Sequence, residues 1–352
     1  MDYIARMREK AALLRQKARV RILAVESSCD ETAMAVVENG RVMLSSAIAS
    51  QIDTHALYGG VVPEIASRMH VEALDPLLDE ALRQAEMTMD DIDAVAVTCG
   101  PGLVGALLTG VSWAKGFAYA RDLPIIAVNH IEGHVSANYI AHPDLEPPFV
   151  SLVASGGHSH IVRVMEYGKY ETLGATRDDA AGEAFDKVDR VLEIPYPGGP
   201  LLDKIAETGD DRAYQFPRPV TPGKYDFSFS GLKTAVINQA HRIRQAGGEI
   251  NAADFAASFR RSVVDLLVEK AVMAAVDSGA KRLAIAGGVA ANSLLRSEIV
   301  KKGEAAGLTV YVPPKWLCTD NAVMIGAAAY YDLMRNEPAE LDLNAMPSIS
   351  MF

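Results

Sequence analysis

The order of strand-like and helix-like segments in this chain predicts an α/β protein built from two halves that share one grammar. Three observations carry that prediction. Each half begins with three consecutive β-rich runs, a pattern of antiparallel neighbours. Each then continues as strand–turn–helix units, which need crossover connections over a sheet. Between the halves lies 141–148, Ala-His-Pro-Asp-Leu-Glu-Pro-Pro, a proline-rich polar stretch suited to a domain boundary.

In the first half, 21–27 is apolar and β-branched enough for a strand, and 32–38 is a second. The Asn39-Gly40 pair is a hairpin turn leading into a third strand over 41–50. A helix is predicted over 63–85, then a strand over 94–98 and the turn Gly100-Pro101-Gly102. A helix to about residue 120, a strand over 125–128 and a helix opening at His130 complete the set. The second half repeats this order: strands over 149–154, 158–165 and 169–173, helical segments, a strand over 282–286, and a helix over 291–303. A last strand covers 308–312, and a last helix opens at Asp320. An insertion is expected over about 195–250 and a C-terminal tail over 337–352. Three antiparallel strands followed by α/β units, twice, is the grammar of duplicated ribonuclease-H-like domains, the actin-like ATPase fold. The expected domains are 21–141, with the helix at 320–336 packing near it, and 149–319.

Composition bounds the function. The chain has 352 residues, 49% hydrophobic and 22% charged, as a globular protein of two ordinary domains requires. Its 34 basic and 45 acidic residues leave a net charge of −11, so nucleic acid could be held only at a local basic patch or through a partner. Three widely spaced cysteines, Cys29, Cys99 and Cys318, without a CxxC, suit a reducing cytoplasm. No apolar run is long enough to span a bilayer. Residues 1–20 stand apart. Ile4, Met7, Ala11, Leu14 and Ala18 form a helical apolar stripe among six Arg and Lys, an added basic helix expected to dock on the surface, a partner or RNA.

The chemistry starts at Asn129-His130-Ile131-Glu132-Gly133-His134. Histidines at i and i+4 share one helix face and can hold one metal ion. The zinc-protease pattern H-E-x-x-H places its Glu beside the first His. Here Glu132 sits two residues on, roughly 200° around the helix, and faces away. The duplication adds a ligand. His130 opens the helix after the last strand of one half and Asp320 the helix after the last strand of the other, so pseudo-symmetry brings both to one interdomain cleft. Asp320 could equally serve only as a helix cap. Two His and one carboxylate leave open coordination positions, the arrangement of a catalytic metal.

Three turns have the composition of phosphate or purine contacts. These are 28–32 (Ser-Cys-Asp-Glu-Thr), 155–158 (Ser-Gly-Gly-His) and 287–292 (Gly-Gly-Val-Ala-Ala-Asn). Small residues there let backbone N–H groups approach an anion. The acid-rich stretch 178–189, followed by Tyr196-Pro197-Gly198-Gly199-Pro200 and Asp203, offers carboxylates for ribose hydroxyls. No Walker A loop is present, and Gly100-Pro101-Gly102-Leu103-Val104-Gly105 reads as a helix-packing turn instead of a dinucleotide fingerprint.

These motifs, with Glu26–Thr32, 182–187 (Gly-Glu-Ala-Phe-Asp-Lys), 229–233 (Phe-Ser-Gly-Leu-Lys) and Thr319-Asp320-Asn321, occur in an order that resembles the Kae1/TsaD/Qri7 family, its bacterial TsaD branch in particular. The resemblance covers about 21–336. It implies transfer of a threonylcarbamoyl group from threonylcarbamoyl-adenylate to the exocyclic amine of the tRNA adenosine just 3′ of the anticodon. It implies metal ligation by His130, His134 and Asp320, with iron(II) expected and zinc also suiting such a set. It implies adenylate or ATP contacts from Val153, Ala154, Ser155, Gly156, Gly157, Asp186, Gly199, Asp203 and Asn292. It further implies a paralogous dimerisation subunit (TsaB-like), a small ATPase (TsaE-like) and a cytoplasmic location. Ser27 stands where many members carry Thr, which keeps the hydroxyl.

Such a transfer needs positioning and charge stabilisation, with Asp30, Glu31 and His158 the candidates for taking the amine proton. Residues 212–233 interleave aromatics with cations, suiting RNA stacking and phosphate contacts or, equally, a packed insertion. Two other readings fit the fold class: an ATP-dependent small-molecule kinase, which has no use for a two-His site, and a nucleotide-gated scaffold that forms no product.

Overall fold

The computed structural model describes residues 3–350. The chain divides into two compact units. One runs to Leu145 and resumes at Thr319; the other spans Glu146–Cys318.

In the first unit, β1 (Arg21–Glu26), β2 (Glu31–Glu38), β3 (Val42–Met43), β4 (Ala47–Ser50), β5 (Ala94–Gly100) and β6 (Ile125–Asn129) form one sheet. The path is β3-β2-β1-β5-β6, with β4 also paired to β2. β1 runs antiparallel to β2 and parallel to β5, and β5 is parallel to β6. β1 and β5 are apolar over almost their whole length and buried over nearly all of it, as central strands covered on both faces must be. The expected third strand, 41–50, is two short strands. Leu44 N and Ser45 N both bond Val36 O, and the Ser45 hydroxyl accepts from Val36 N, so a jog interrupts the ladder there. The helices are α1 (Tyr3–Leu14), α2 (Ile52–Ala56), α3 (Pro63–Ala85), α4 (Val104–Arg121) and α5 (His130–Ala141), while α11 (Ala322–Arg335) returns from the far end of the chain. Of these, α11 packs on α5, β1 and β2.

In the second unit the sheet order is β11-β10-β7-β8-β9. Its strands are β7 (Phe149–Ala154), β8 (Ser159–Glu166), β9 (Lys169–Ala175), β10 (Arg282–Ala286) and β11 (Thr309–Tyr311). β7-β8-β9 are antiparallel, and β7, β10 and β11 are parallel. The helices are α6 (Ala181–Val191), α7 (Gly198–Ala206), α8 (Ser230–Gln245), α9 (Ala252–Asp277) and α10 (Ser293–Ala305). α10 starts later than expected, because 288–291 forms a 3₁₀ turn first and Asn292 caps the helix by accepting from Leu294 N and Leu295 N. Each unit is thus three antiparallel strands extended by parallel α/β strands. No helix among the described residues is long and apolar enough to cross a membrane.

The basic N-terminal segment is a helix docked on its own unit. Tyr3, Met7 and Ala11 are buried. Arg6 and Lys10 pair with Asp122, Arg8 with Glu340, and Arg15 bonds Leu333 O and Asn336 O. Its cations face acids of the same unit, so of the three expected dockings, on the surface, a partner or RNA, the helix shows the first. Met1 and Asp2 lie outside the described residues.

Candidate functional site

β6 ends at Asn129, whose side chain accepts from Ile131 N and Glu132 N and so starts α5 at His130. The cap sets the helix phase, and His130 and His134 then share one face with ring centroids 4.6 Å apart. Asp320 approaches from the other end of the same unit. Its Oδ1 lies 3.5 Å from His130 Nε2 and 3.3 Å from His134 Nε2. Asp320 does not cap α11, as the sequence had suggested. Asn321 does, accepting from Met324 N at 2.9 Å, and Asp320 sits just outside the helix, opposite the histidines.

One ligand atom from each of His130, His134 and Asp320 falls within 4.8 Å of the others. Glu132 is not in that group, as the displaced spacing predicts. Behind His130 lies a residue that sequence patterning passed over. Glu26 is fully buried at the end of β1. Its Oε2 is 3.2 Å from His130 Nδ1 and accepts from the Thr98 hydroxyl at 2.6 Å, while its Oε1 accepts from Ser28 N at 2.6 Å. The Ser28 hydroxyl is also 3.2 Å from His130 Nδ1. The sequence signals for Glu26 are its place at the head of the Glu26–Thr32 motif and a charged residue closing an apolar strand, neither of which says that it stands behind His130.

Electrostatics point the same way. Burial opposes a charge on His130, yet Asp320 and Glu26 outweigh it and push its pKa up to about 9. Burial, then the neighbouring Asp30 and Asp320, push Glu31 up to about 9. Burial and the same two acids raise the Cys29 thiol. Burial lowers His134 against the opposing pull of Asp320, whose Oδ1 is 3.3 Å from Nε2, and its Nδ1 has no hydrogen-bond partner among the described residues. Two buried imidazoles converging on one carboxylate, with further carboxylates close by, are what a cation would complete, so these residues fit a divalent metal.

Asp30 and Glu31 belong to this unit, in the turn between β1 and β2. That turn is held by Gln51 N bonding Asp30 O, by the Ser50 hydroxyl donating to Glu31 Oε1, and by His70, which contacts Cys29 O and the Thr32 hydroxyl. His158 lies in the second unit, with its ring 5.7 Å from that of His160.

The remaining candidates are all in the second unit. Val153 and Ala154 end β7, and Ser155-Gly156-Gly157 form the turn to β8. Gly182 N and Glu183 N bond Ser155 O and Gly156 O, which seats this turn on the start of α6. The acid-rich helix is shorter than 178–189, because Asp178 is outside it, holding the Phe229 and Ser230 amides and the Ser228 hydroxyl. Asp186 lies on α6, its carboxyl raised by burial. Gly199 is the second residue of α7, with no neighbouring atom among the described residues within 4 Å of where a side chain would start. Asp203 and Asn292 meet directly. Asp203 accepts from Arg260 Nη1 (2.8 Å), Asn292 Nδ2 (2.8 Å), Ser293 N (2.9 Å) and the Ser293 hydroxyl (3.0 Å). This knot joins α7, α9 and α10 and fixes the 287–293 turn.

The aromatic–cation stretch is a packed insertion. Phe227 and Phe229 are fully buried, and Tyr214 and Phe216 lie against Phe255. Arg218 pairs with Glu269, Lys224 with Asp277, and Lys233 with Asp179. These bonds favour the packing reading over an open RNA platform.

Comparison with known proteins gives the family. Residues 42–327 match the family model described as TsaD: tRNA N6-adenosine threonylcarbamoyltransferase. A protein of that name from Clostridium perfringens is 55% identical over 331 residues, covering 94% of this chain and 98% of its own length. One from Clostridium botulinum is 54% identical over 336 residues, covering 95% and 99%. Among solved structures, full-length HypF superposes with TM-score 0.60 at 14% identity, over 90% of this chain and 47% of HypF. Component A of the Acidaminococcus fermentans (R)-2-hydroxyglutaryl-CoA dehydratase gives 0.53 at 15% identity, over 90% and 100%. These structures share the fold, which is the duplicated actin-like type. With two histidines and a carboxylate held as a cluster, that fold beneath them, and more than half of its residues identical to curated relatives over nearly its whole length, this chain belongs to the TsaD family of tRNA N6-adenosine threonylcarbamoyltransferases.

Proposed function

We propose that the protein transfers the threonylcarbamoyl group from threonylcarbamoyl-adenylate to the exocyclic amine of the adenosine just 3′ of the anticodon, in tRNAs reading codons that begin with adenine. The new bond joins the amine nitrogen to the carbamoyl carbon; the carbamoyl–phosphate bond breaks and AMP leaves. The observation that most supports this reading is the His130–His134–Asp320 cluster with Glu26 behind it, in a chain of this family. A kinase of the same fold gives that cluster no task.

His130, His134 and Asp320 would hold a divalent metal, iron(II) by family resemblance. The bound metal supplies a Lewis acid for charge developing on the carbamoyl oxygen. Glu26 holds His130 by Nδ1, so that Nε2 is presented to the ion. Asp30 and Glu31, at the neighbouring turn, are the proposed acceptors for the amine proton, Glu31 only where a bound cation offsets the acids that push it up to about 9, with His158 a third candidate from the other unit. Val153–Gly157, Asp186, Gly199, Asp203 and Asn292 are proposed to line the adenylate. Asp203 and Asn292 do so chiefly by fixing the turn they share with Ser293.

The partners are proposed to be tRNA, a paralogous TsaB-like subunit and a small TsaE-like ATPase, in the cytoplasm. The apolar groove between α3 and α4, lined by Val71, Leu74, Leu108 and Trp113, supports a protein partner on the first unit. The test is to incubate the protein with threonylcarbamoyl-adenylate, unmodified tRNA and the two partner proteins, then digest the tRNA and weigh its nucleosides by mass spectrometry. N6-threonylcarbamoyladenosine in the wild type and none with His134→Ala supports the reading. Product at wild-type level from His134→Ala overturns the metal role.

A further inference from the structure

The segment after α11 starts beside the beginning of β6 and reaches the ends of β5 and β6 nearest the histidine pair with its last residues. Ala339 N bonds Ile125 O at 2.8 Å, a single antiparallel bridge to the start of β6. Leu341 and Leu343 then pack on the first unit's core, and Lys115 Nζ donates to Leu343 O. Beyond them the chain meets the site's own scaffold. Met346 N donates to Cys99 O at 2.7 Å, and Gly102 N donates to Pro347 O at 3.2 Å. Asn129 Nδ2 donates to Ser350 O at 3.4 Å.

Of the residues these contacts reach, Asn129 is the chain neighbour of His130, while Cys99 and Gly102 reach His130 only through the turn they flank and Ser28. Asn129 is the cap that sets the phase of α5, and hence the directions of His130 and His134. The 100–102 turn bears on Ser28: Leu103 N bonds Ser28 O at 2.8 Å, and a side chain at Gly102 would begin 2.6 Å from that same oxygen. Ser28 in turn touches His130 Nδ1 and anchors Glu26. The fit against the tail is close. Gly100 has φ +156°, and a β-carbon there would lie 2.0 Å from Met346 O. Only glycine permits that conformation with the tail in place.

We propose that residues 346–350 are a positioning strap for the metal-binding pair, so that metal affinity depends on a segment that touches neither histidine. The proposal rests on the metal reading above. Its physical basis is that ligands held in phase lose less freedom on binding, and outer partners of ligating histidines typically govern about 10–100-fold in affinity.

The experiment measures Co²⁺ and Zn²⁺ affinity of the full chain by competition with a chelating dye, together with the Co²⁺ absorption spectrum and the melting temperature. Met346→Pro deletes the N–H that bonds Cys99 O, while Met346→Leu keeps it. Asn129→Ser keeps an oxygen to cap α5 but loses the amide that reaches Ser350. About tenfold or more weaker metal binding and an altered Co²⁺ spectrum in Met346→Pro and Asn129→Ser, with Met346→Leu as wild type, supports the strap. A lower melting temperature with unchanged affinity and spectrum overturns it and leaves the segment a stability element only. Should Met346→Pro fail to fold, Asn129→Ser decides alone. Wild-type protein that binds neither ion overturns the metal reading, and the strap with it. Wild type that binds while every variant binds equally overturns the strap alone.

Discussion

Glu26 Oε2 sits 3.2 Å from His130 Nδ1, and the carboxylate is fully buried. Both its oxygens are in use: Oε1 takes the Ser28 amide and Oε2 the Thr98 hydroxyl. Glu26 faces Nδ1 and Asp320 faces Nε2, so each acid favours a proton on the nitrogen it meets; with a metal at Nε2, the remaining ring proton would sit on Nδ1 against Glu26.

Glu26→Gln tests that assignment with little change in volume. The Ser28 amide keeps a carbonyl acceptor, so the new NH₂ faces His130 Nδ1 and drives the ring proton to Nε2. Metal affinity is expected to fall by about 10–100-fold. Metal competition titration reads this directly, and unchanged affinity would contradict the assigned tautomer.

His134→Ala removes a buried imidazole whose polar contact among the described residues is Nε2 to Asp320 Oδ1, at 3.3 Å. The expected result is loss of threonylcarbamoyl transfer with a protein that still folds, since Asp320 keeps His130 and is partly open to solvent. Circular dichroism and nucleoside mass spectrometry on the same preparation check both halves.

Asp203→Ala strands Arg260, whose side chain is only 9% exposed and whose Nη1 is 2.8 Å from that carboxylate. Removing one partner of a buried ion pair costs about 3–5 kcal/mol. Urea unfolding should show that loss as a lower midpoint at unchanged slope. Weaker nucleotide binding without it would instead mean that Asp203 acts only on ligand.

Asp189 carries a pH dependence of its own. Both its carboxylate oxygens are buried without a hydrogen-bond partner among the described residues, and burial, then Asp186, push its pKa up to about 7. A folded-state pKa above the unfolded value means that the native state holds the proton more tightly. Stability is therefore greatest at low pH as far as this group is concerned, and falls as pH rises from about 4 to about 7, by roughly 1.4 kcal/mol per unit. Asp189→Asn should remove that slope and be the more stable protein at pH 8. Parallel stability–pH curves for the two would refute the assignment.

Much of this was legible in the residues. Apolar, β-branched runs marked nearly every strand, and the i, i+4 histidines could share a face only if Asn129 capped a helix, which it does. What failed was local competition. Ser45 bonding the β2 backbone splits the third strand, and Asn321 outcompetes Asp320 as the cap of α11 because its side chain reaches Met324 N. The 212–233 stretch misled for a different reason: composition cannot tell whether an aromatic faces water or, like Phe229, a core.

By itself, then, the sequence determined the duplicated strand order, the histidine pair and the displaced Glu132, since these follow from periodicity and spacing along one chain. Only the tertiary structure decided that Asp320 meets those histidines from beyond its cap, that Glu26 stands behind His130, and that a C-terminal segment braces the cap of α5. Those are contacts between residues roughly a hundred or more positions apart. Such contacts are chosen by how buried surfaces and hydrogen-bond partners can all be satisfied at once, and no local pattern records that choice.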